Sequence, residues 1–335
     1  MGALTASSAR ATTFFRMRLE LFFKTTAELG LILQSTRNLG ISVNKFNLTN
    51  KARNERDHLL KSANKIFEWG VSENLDLDVC IHYSMKNNKG KTVEESLAIF
   101  GKFLQQASSL SSSSSRESTC ELLLCSGGGK KKTKPDTIQV LAMLPPASIP
   151  PNISLAVAYN PYEEDIQGEN LRLKEKLLYN VEKIYLQFGS DLNKLREGME
   201  FINGLNKERL QQGKIPLKII GSVMIPSKQL LARFRFRPWA GLVLGEEFLS
   251  DINVANKTVK CIIEIYRQHS VESIVETAIN EKNFALFREL FQEECEFVDI
   301  DENPTAETVC VTKIKQSSIS DFNNDCVSPR KKIRK

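Results

Sequence analysis

The feature that most constrains this chain is an alternation. Runs of apolar and β-branched residues suited to strands fall at 17–23, 41–46, 77–83, 121–126 or 137–143, 153–159, 183–188, 217–224 and 271–278. Between them lie segments of helical period, at 26–38, 53–69, 93–108, 164–179, 190–205, 227–234, 253–268 and 281–293. Strand then helix, about eight times in roughly 280 residues, predicts an α/β fold in which helices cover a parallel sheet. Right-handed crossovers then leave a single parallel (β/α)8 TIM barrel as the expected architecture, with an open doubly wound sheet as the other arrangement.

The boundaries follow from where the pattern fails. Residues 1–15 read as a flexible N-terminus, 16–300 as the barrel, and 301–335, where hydrophobic periodicity is lost, as a disordered polar and basic tail. Ser108 to Ser115, broken only by Leu110, predicts a flexible Ser-rich surface insertion at about 107–118. No window reaches the roughly 18 to 20 uninterrupted apolar residues that a bilayer span needs, so no membrane association is expected. Lys and Arg outnumber Asp and Glu by 46 to 40, a surplus that the last residues nearly supply. The body is therefore close to neutral, which argues against strong direct nucleic-acid binding. Seven cysteines form no CxxC pair, and the three histidines are far apart in sequence. That pattern predicts reduced thiols and no metal site.

Barrel chemistry sits at the C-terminal ends of the strands, which directs attention to Glu20, His82-Tyr-Ser84, Tyr159-Asn-Pro161, Gln187, Ser222 and Ser227. Each is also open to a structural role, since polar groups at strand ends often cap neighbouring backbone. Gly127 to Lys132 reads either as a solvated loop or as an anion-binding one, and it lacks the glycine a Walker A loop would need at Leu124. Arg233-Phe-Arg-Phe-Arg-Pro-Trp239 interleaves arginine with aromatic residues, a pattern that can hold phosphates and stack on bases. Its other reading puts Phe234 and Phe236 together on the apolar side of an outer connection.

Three stretches resemble the central part of the methylenetetrahydrofolate reductase family: Ile153-Ser-Leu-Ala-Val-Ala-Tyr-Asn-Pro161, Glu169-Asn-Leu-Arg-Leu-Lys-Glu-Lys-Leu177 and Ile184-Tyr-Leu-Gln-Phe188. Ile219 to Pro226 is similar to that family's following strand, and Leu19-Glu-Leu-Phe-Phe23 to its first. The resemblance implies a flavin-containing barrel in which FAD takes hydride from NAD(P)H and passes it to a folate or pterin-like substrate. It implies Glu20 as general acid, Gln187 as a substrate contact, and His82, Tyr159, Glu169, Arg172 and Lys176 at the flavin. Glu169 stands where the family usually has Asp, and Arg172 where it usually has Asn. The family's Arg-Gly-Asp after strand four is replaced by Leu124-Cys-Ser-Gly-Gly-Gly129, without an acid, and its double proline after the first strand by Phe23-Lys24.

In the tail, Gln316, Ile319 and Phe322 match the spacing of peptides that bind the replication sliding clamp, with Asn323 in place of the second aromatic. Arg330, Lys331, Lys332, Arg334 and Lys335 follow and resemble a nuclear localisation signal. Arg10, Arg16 and Arg18 in an acid-free N-terminus fit a mitochondrial transit peptide less well, so nucleus or cytoplasm is expected. The alternative function is thus a catalytically degenerate barrel acting as a nuclear interaction protein.

Overall fold

A computed structural model describes residues 12–298, apart from 16, 40, 50–55, 88–91, 113–117, 127–134, 240 and 292–294. Gly127 to Lys132, Gln316, Ile319 and Phe322, and Arg330 to Lys335 lie outside the described residues. In chain order the elements are β1 (Thr12–Phe15), β2 (Arg18–Leu21), α1 (Thr26–Asn38), β3 (Ile41–Ser42), β4 (Lys45–Leu48), α2 (Arg56–Ser72) and β5 (Asp78–Ser84). Then come α3 (Val93–Ser112), β6 (Thr119–Cys125), α4 (Thr137–Met143), β7 (Ile153–Tyr159), α5 (Ile166–Lys176), β8 (Lys183–Leu186) and α6 (Leu192–Gln211). The last are β9 (Lys218–Val223), α7 (Lys228–Phe236), α8 (Glu246–Ser250), α9 (Ile252–Gln268), β10 (Glu272–Val275), α10 (Glu281–Leu290) and β11 (Cys295–Val298).

Eight parallel strands close in the order β10-β2-β4-β5-β6-β7-β8-β9, with helices between them: a (β/α)8 barrel. Each strand's outward residues join the main core against the helices, whereas Cys80, Leu123, Ala156, Tyr185, Ile220 and Ile274 form a separate cluster inside the barrel. Among the described residues no helix is long and apolar enough to cross a membrane.

One alternative is resolved and three local expectations are corrected. Of the two places for the fourth strand, 121–126 is β6, and residues 137–143 are a helix because Asp136 caps them: its carboxylate accepts the Gln139 N–H at 2.9 Å while the Gln139 side chain accepts the Asp136 N–H at 3.1 Å. Ser108 to Ser112 continue α3 rather than leaving it. Thr12–Phe15, placed within a flexible N-terminus by the sequence, is a strand that pairs antiparallel with β11 and parallel with β3. Cys80, Cys120 and Cys125 are free thiols as expected, but Cys261 is disulfide-bonded.

One glycine is dictated by packing. A Cβ on Gly221 in β9 would stand 2.4 Å from the ring of buried Tyr266 in α9, whose hydroxyl donates to the Ser222 carbonyl at 3.1 Å. Gly221→Ala is therefore expected to cost about 1–3 kcal/mol of stability in urea denaturation.

Candidate active site

Alternation along parallel strands decides which side chains face the barrel axis. The inward set at the N-terminal end is charged: Arg18, Lys45, Asp78, Glu121, Lys183, Lys218 and Glu272. Arg18 is wholly buried and its guanidinium donates to both Asp78 carboxylate oxygens, at 2.7 and 3.2 Å. Tyr185 donates to Glu121 at 2.5 Å, and Lys183 pairs with the same carboxylate. Glu272 bridges Lys45 and Lys218, each at 2.8 Å. Burial opposes the charge on Asp78, yet the Arg18 guanidinium, helped by Lys183 and Lys218, holds that carboxyl at about 2.

From this floor a hydrogen-bonded chain climbs towards the opposite mouth. Arg18 Nε donates to Asn47 Oδ1 at 2.7 Å, and Asn47 Nδ2 lies 2.9 Å from His82 Nε2. An arginine can only donate, so it fixes the Asn47 carbonyl oxygen towards itself and the amide nitrogen towards the imidazole. His82 Nε2 therefore accepts, and the ring is neutral with its proton on Nδ1.

The C-terminal mouth gathers polar groups from most of the strands. Val275 of β10 is in register with Leu19 of β2, so one step further Glu276 and Glu20 stand side by side on neighbouring strands. Glu276 accepts from the Ser222 hydroxyl at 2.6 Å, and its N–H bonds the Val223 carbonyl at 2.9 Å, which keeps the strand geometry going. A cleft of about 230 Å³ lies between β2, α1 and the segment after β10, lined by Leu19, Leu21, Glu28, Leu31, Ile32 and Ile279 among others, on the outer side of the strand whose inward face carries Glu20. Across the mouth, the half-buried Cys125 thiol is pushed up to about 12 by desolvation; Glu20 and Glu276 add to the rise and Lys176 opposes it. These four groups thus share one electrostatic environment.

The α5 residues are set by local hydrogen bonds. Buried Lys176 donates to the Ala158 carbonyl at 2.8 Å, and desolvation lowers its pKa while Glu169 works against that shift. Glu169 accepts the Asn160 N–H at 3.2 Å and Arg172 Nε at 2.9 Å, tying the end of β7 to the first turns of α5. Gln187 lies just past β8, its N–H on the Tyr159 carbonyl at 2.9 Å.

Of the residues singled out in the sequence, Glu20 and Lys176 both act on Cys125 at this mouth, His82 and Gln187 lie on the inward face of β5 and just past β8, and Glu169 and Arg172 stand beside the end of β7. Tyr159 does not join them. Alternation turns it outward into the main core, where its hydroxyl donates to Asn170 at 2.6 Å and its ring lies 6.1 Å from Phe201. Glu276, Cys125 and Asn47 were missed by sequence reasoning. The signal for Glu276 was present in Glu272-Ser-Ile-Val-Glu276, whose alternate residues share the inward face.

No family model matches the chain, and no curated protein matches it. Among solved structures, an endoxylanase retrieved from a sugarcane soil metagenome aligns over 81% of this chain and 88% of its own, at 12% identity and TM-score 0.48. A mutant structure in complex with xylotriose aligns over 80% and 86%, at 11% identity and TM-score 0.50. At such identities the likeness extends to the barrel fold alone.

Proposed function

We propose that the C-terminal mouth is the active site of an FAD-dependent oxidoreductase similar to methylenetetrahydrofolate reductases, moving hydride from NAD(P)H to a folate or pterin-like substrate. What supports this reading is one observation: of the residues matched to that family's acid and flavin contacts, Glu20 of β2 and Lys176 of α5 both act on Cys125 at the C-terminal mouth, while inward-facing His82 of β5 and Gln187, one residue past β8, lie on the same side of the barrel. The donor set suits a flavin dinucleotide. Half-exposed Arg172, held by Glu169, offers its guanidinium to a phosphate, and buried Lys176 on the same helix adds positive charge behind it. Bound FAD would supply the hydride chemistry itself. The protein's own work is acid catalysis: Glu20, on the inward face of β2, delivers a proton to the substrate amine, with Glu276 on the neighbouring strand and Ser222 on the strand beyond it.

Added FAD should stay with the protein through desalting and absorb near ~450 nm, a band that belongs to the cofactor. Lys176→Met should weaken FAD binding by about tenfold or more, or about 1.4 kcal/mol. A colourless protein that takes up no FAD would overturn the reading.

One feature favours a second reading. At the end of β6, where the resembled family has an acid, this chain has Cys125 with its thiol protonated at neutral pH. A barrel without flavin would then serve as an interaction protein whose tail, through Gln316, Ile319 and Phe322, engages the sliding clamp. A tail peptide and its Ile319→Ala, Phe322→Ala counterpart, titrated against the clamp, separate the two: equal heats would exclude the motif.

A further inference from the structure

The Arg233–Trp239 run divides in an unexpected way. Phe234 is buried at 2% exposure, as an apolar inner face requires, but Phe236 is 92% exposed on the last turn of α7. A phenylalanine that buries almost none of its surface contributes nothing to this fold through burial. Trp239 packs edge-on against Phe234, with ring centroids 4.9 Å apart and planes at 86°, and remains 43% exposed. The indole is thus held in a fixed orientation with much of its surface open.

Three guanidinium groups belong to the same run, Arg233 and Arg235 in the helix and Arg237 at its C-cap. Arg233 and Arg237 form no ion pair with any described residue, and Arg235 has only a 3.9 Å contact to the exposed carboxylate of Glu246. Arg233 and Phe236, three apart, share one face of the last helical turns and Arg237 is the C-cap that follows, whereas Phe234 and the Trp239 that packs on it lie on the other side of the helix. The connection that follows is pinned over the barrel mouth: Gly189 bridges to Val243, Gly245 N–H donates to Ser190 Oγ at 2.7 Å, and Asn160 Nδ2 to the Gly241 carbonyl at 3.4 Å.

We propose that this helix end binds single-stranded nucleic acid, the strand passing round it so that bases stack on Phe236 on one side and Trp239 on the other, with phosphates lying against Arg233, Arg235 and Arg237. Two chemistries are required of a ligand here, a flat unpaired ring system and negative charge at short repeat, and an unpaired strand supplies both. An acidic peptide satisfies the arginines but leaves both rings bare. An apolar protein surface satisfies the rings but would strand three cations flanking them. A duplex hides the base faces on which the rings would stack. The near-neutral body of the chain is consistent with a local, micromolar site rather than broad electrostatic adhesion.

The test must distinguish stacking from charge, because Arg330 to Lys335 will hold any polyanion to some degree. The full chain is titrated by fluorescence anisotropy with a labelled thymidine oligonucleotide of about 15 nucleotides, within the site sizes of such proteins. The same is done with an abasic strand of equal length and charge, and with polyglutamate. We expect the base-bearing strand to bind at least tenfold more tightly than the abasic one, and Phe236→Ala to abolish that preference. Arg233→Ala with Arg237→Ala should weaken both strands and flatten the salt dependence. Phe236 is so exposed that its removal leaves the fold intact, which circular dichroism checks. Equal affinity for the two strands, an unchanged preference in Phe236→Ala, or polyglutamate binding as tightly as the oligonucleotide would each overturn the proposal.

Discussion

Replacing Arg18 by methionine is expected to cost the fold about 3–5 kcal/mol, the range seen when one partner of a buried ion pair is removed. The reason is the company that remains. Asp78 would lose the two hydrogen bonds at 2.7 and 3.2 Å that compensate its burial, and Asn47 would lose its 2.7 Å donor. Guanidinium denaturation of Arg18→Met, Asp78→Leu and the double variant checks this, because the double variant should be less destabilised than the sum of the singles. Strict additivity would mean that the pair is not coupled. The same pair sets the acid limit of the protein. Asp78 is held at about 2 in the fold against an ordinary 3.8, so the unfolded chain binds the proton first as pH falls. Its contribution, about 2 kcal/mol at neutral pH, is fully present above pH ~4 and disappears as pH drops through about 2. Glu272, where Arg18, Lys218 and Lys45 outweigh the desolvation that opposes its charge, changes in the same direction. In Asp78→Asn the loss of stability between pH ~4 and ~2 should be visibly shallower.

On the proposed reductase reading, Glu20→Gln should lower turnover of a pterin-like substrate by about 10²–10⁴-fold, the usual worth of a positioned acid, while FAD binding stays within twofold. The substitution keeps shape and removes the proton. Glu276→Gln, which retains an acceptor for the Ser222 hydroxyl, should cost less in kcat than Glu20→Gln. Stopped-flow measurement separates the halves of the reaction: reduction of bound flavin by NAD(P)H should be untouched in Glu20→Gln, and reoxidation by substrate should stall. Normal reoxidation would remove Glu20 from the mechanism.

The barrel was legible because its signal is repetition. Strands 153–159 and 77–83 and helix 26–38 match the expected bounds within a residue, since each carries an apolar period long enough to read alone. Errors and an open alternative arose where a short apolar stretch is decided by something else. The expected strand 41–46 divides into β3, which pairs with β1 outside the barrel, and β4, which pairs within it; pairing partners dozens of residues away make that decision. Residues 137–143 are apolar enough for a strand, and the Asp136 capping box turns them into a helix. In the site, Glu20, His82 and Gln187 stand at strand ends, where a barrel reader looks first. Arg18 and Asn47 could not be found that way. Their meaning comes from partners 29 to 60 positions away, and a charged residue in a strand reads as outward-facing until the sheet is known to close.

In most enzymes of this architecture the bottom face keeps the fold together and the top face is free to explore new chemistry. Here Asn47 belongs to both. Its oxygen is fixed by the floor and its nitrogen sets the proton of His82 at the mouth. A descendant that exchanged His82 for a residue with only donors would leave the Asn47 amide facing another donor, and the disturbance would pass to Arg18. An exchange at the imidazole is thus coupled to the buried floor through Asn47, whereas the strands that this chain of hydrogen bonds does not cross escape that coupling.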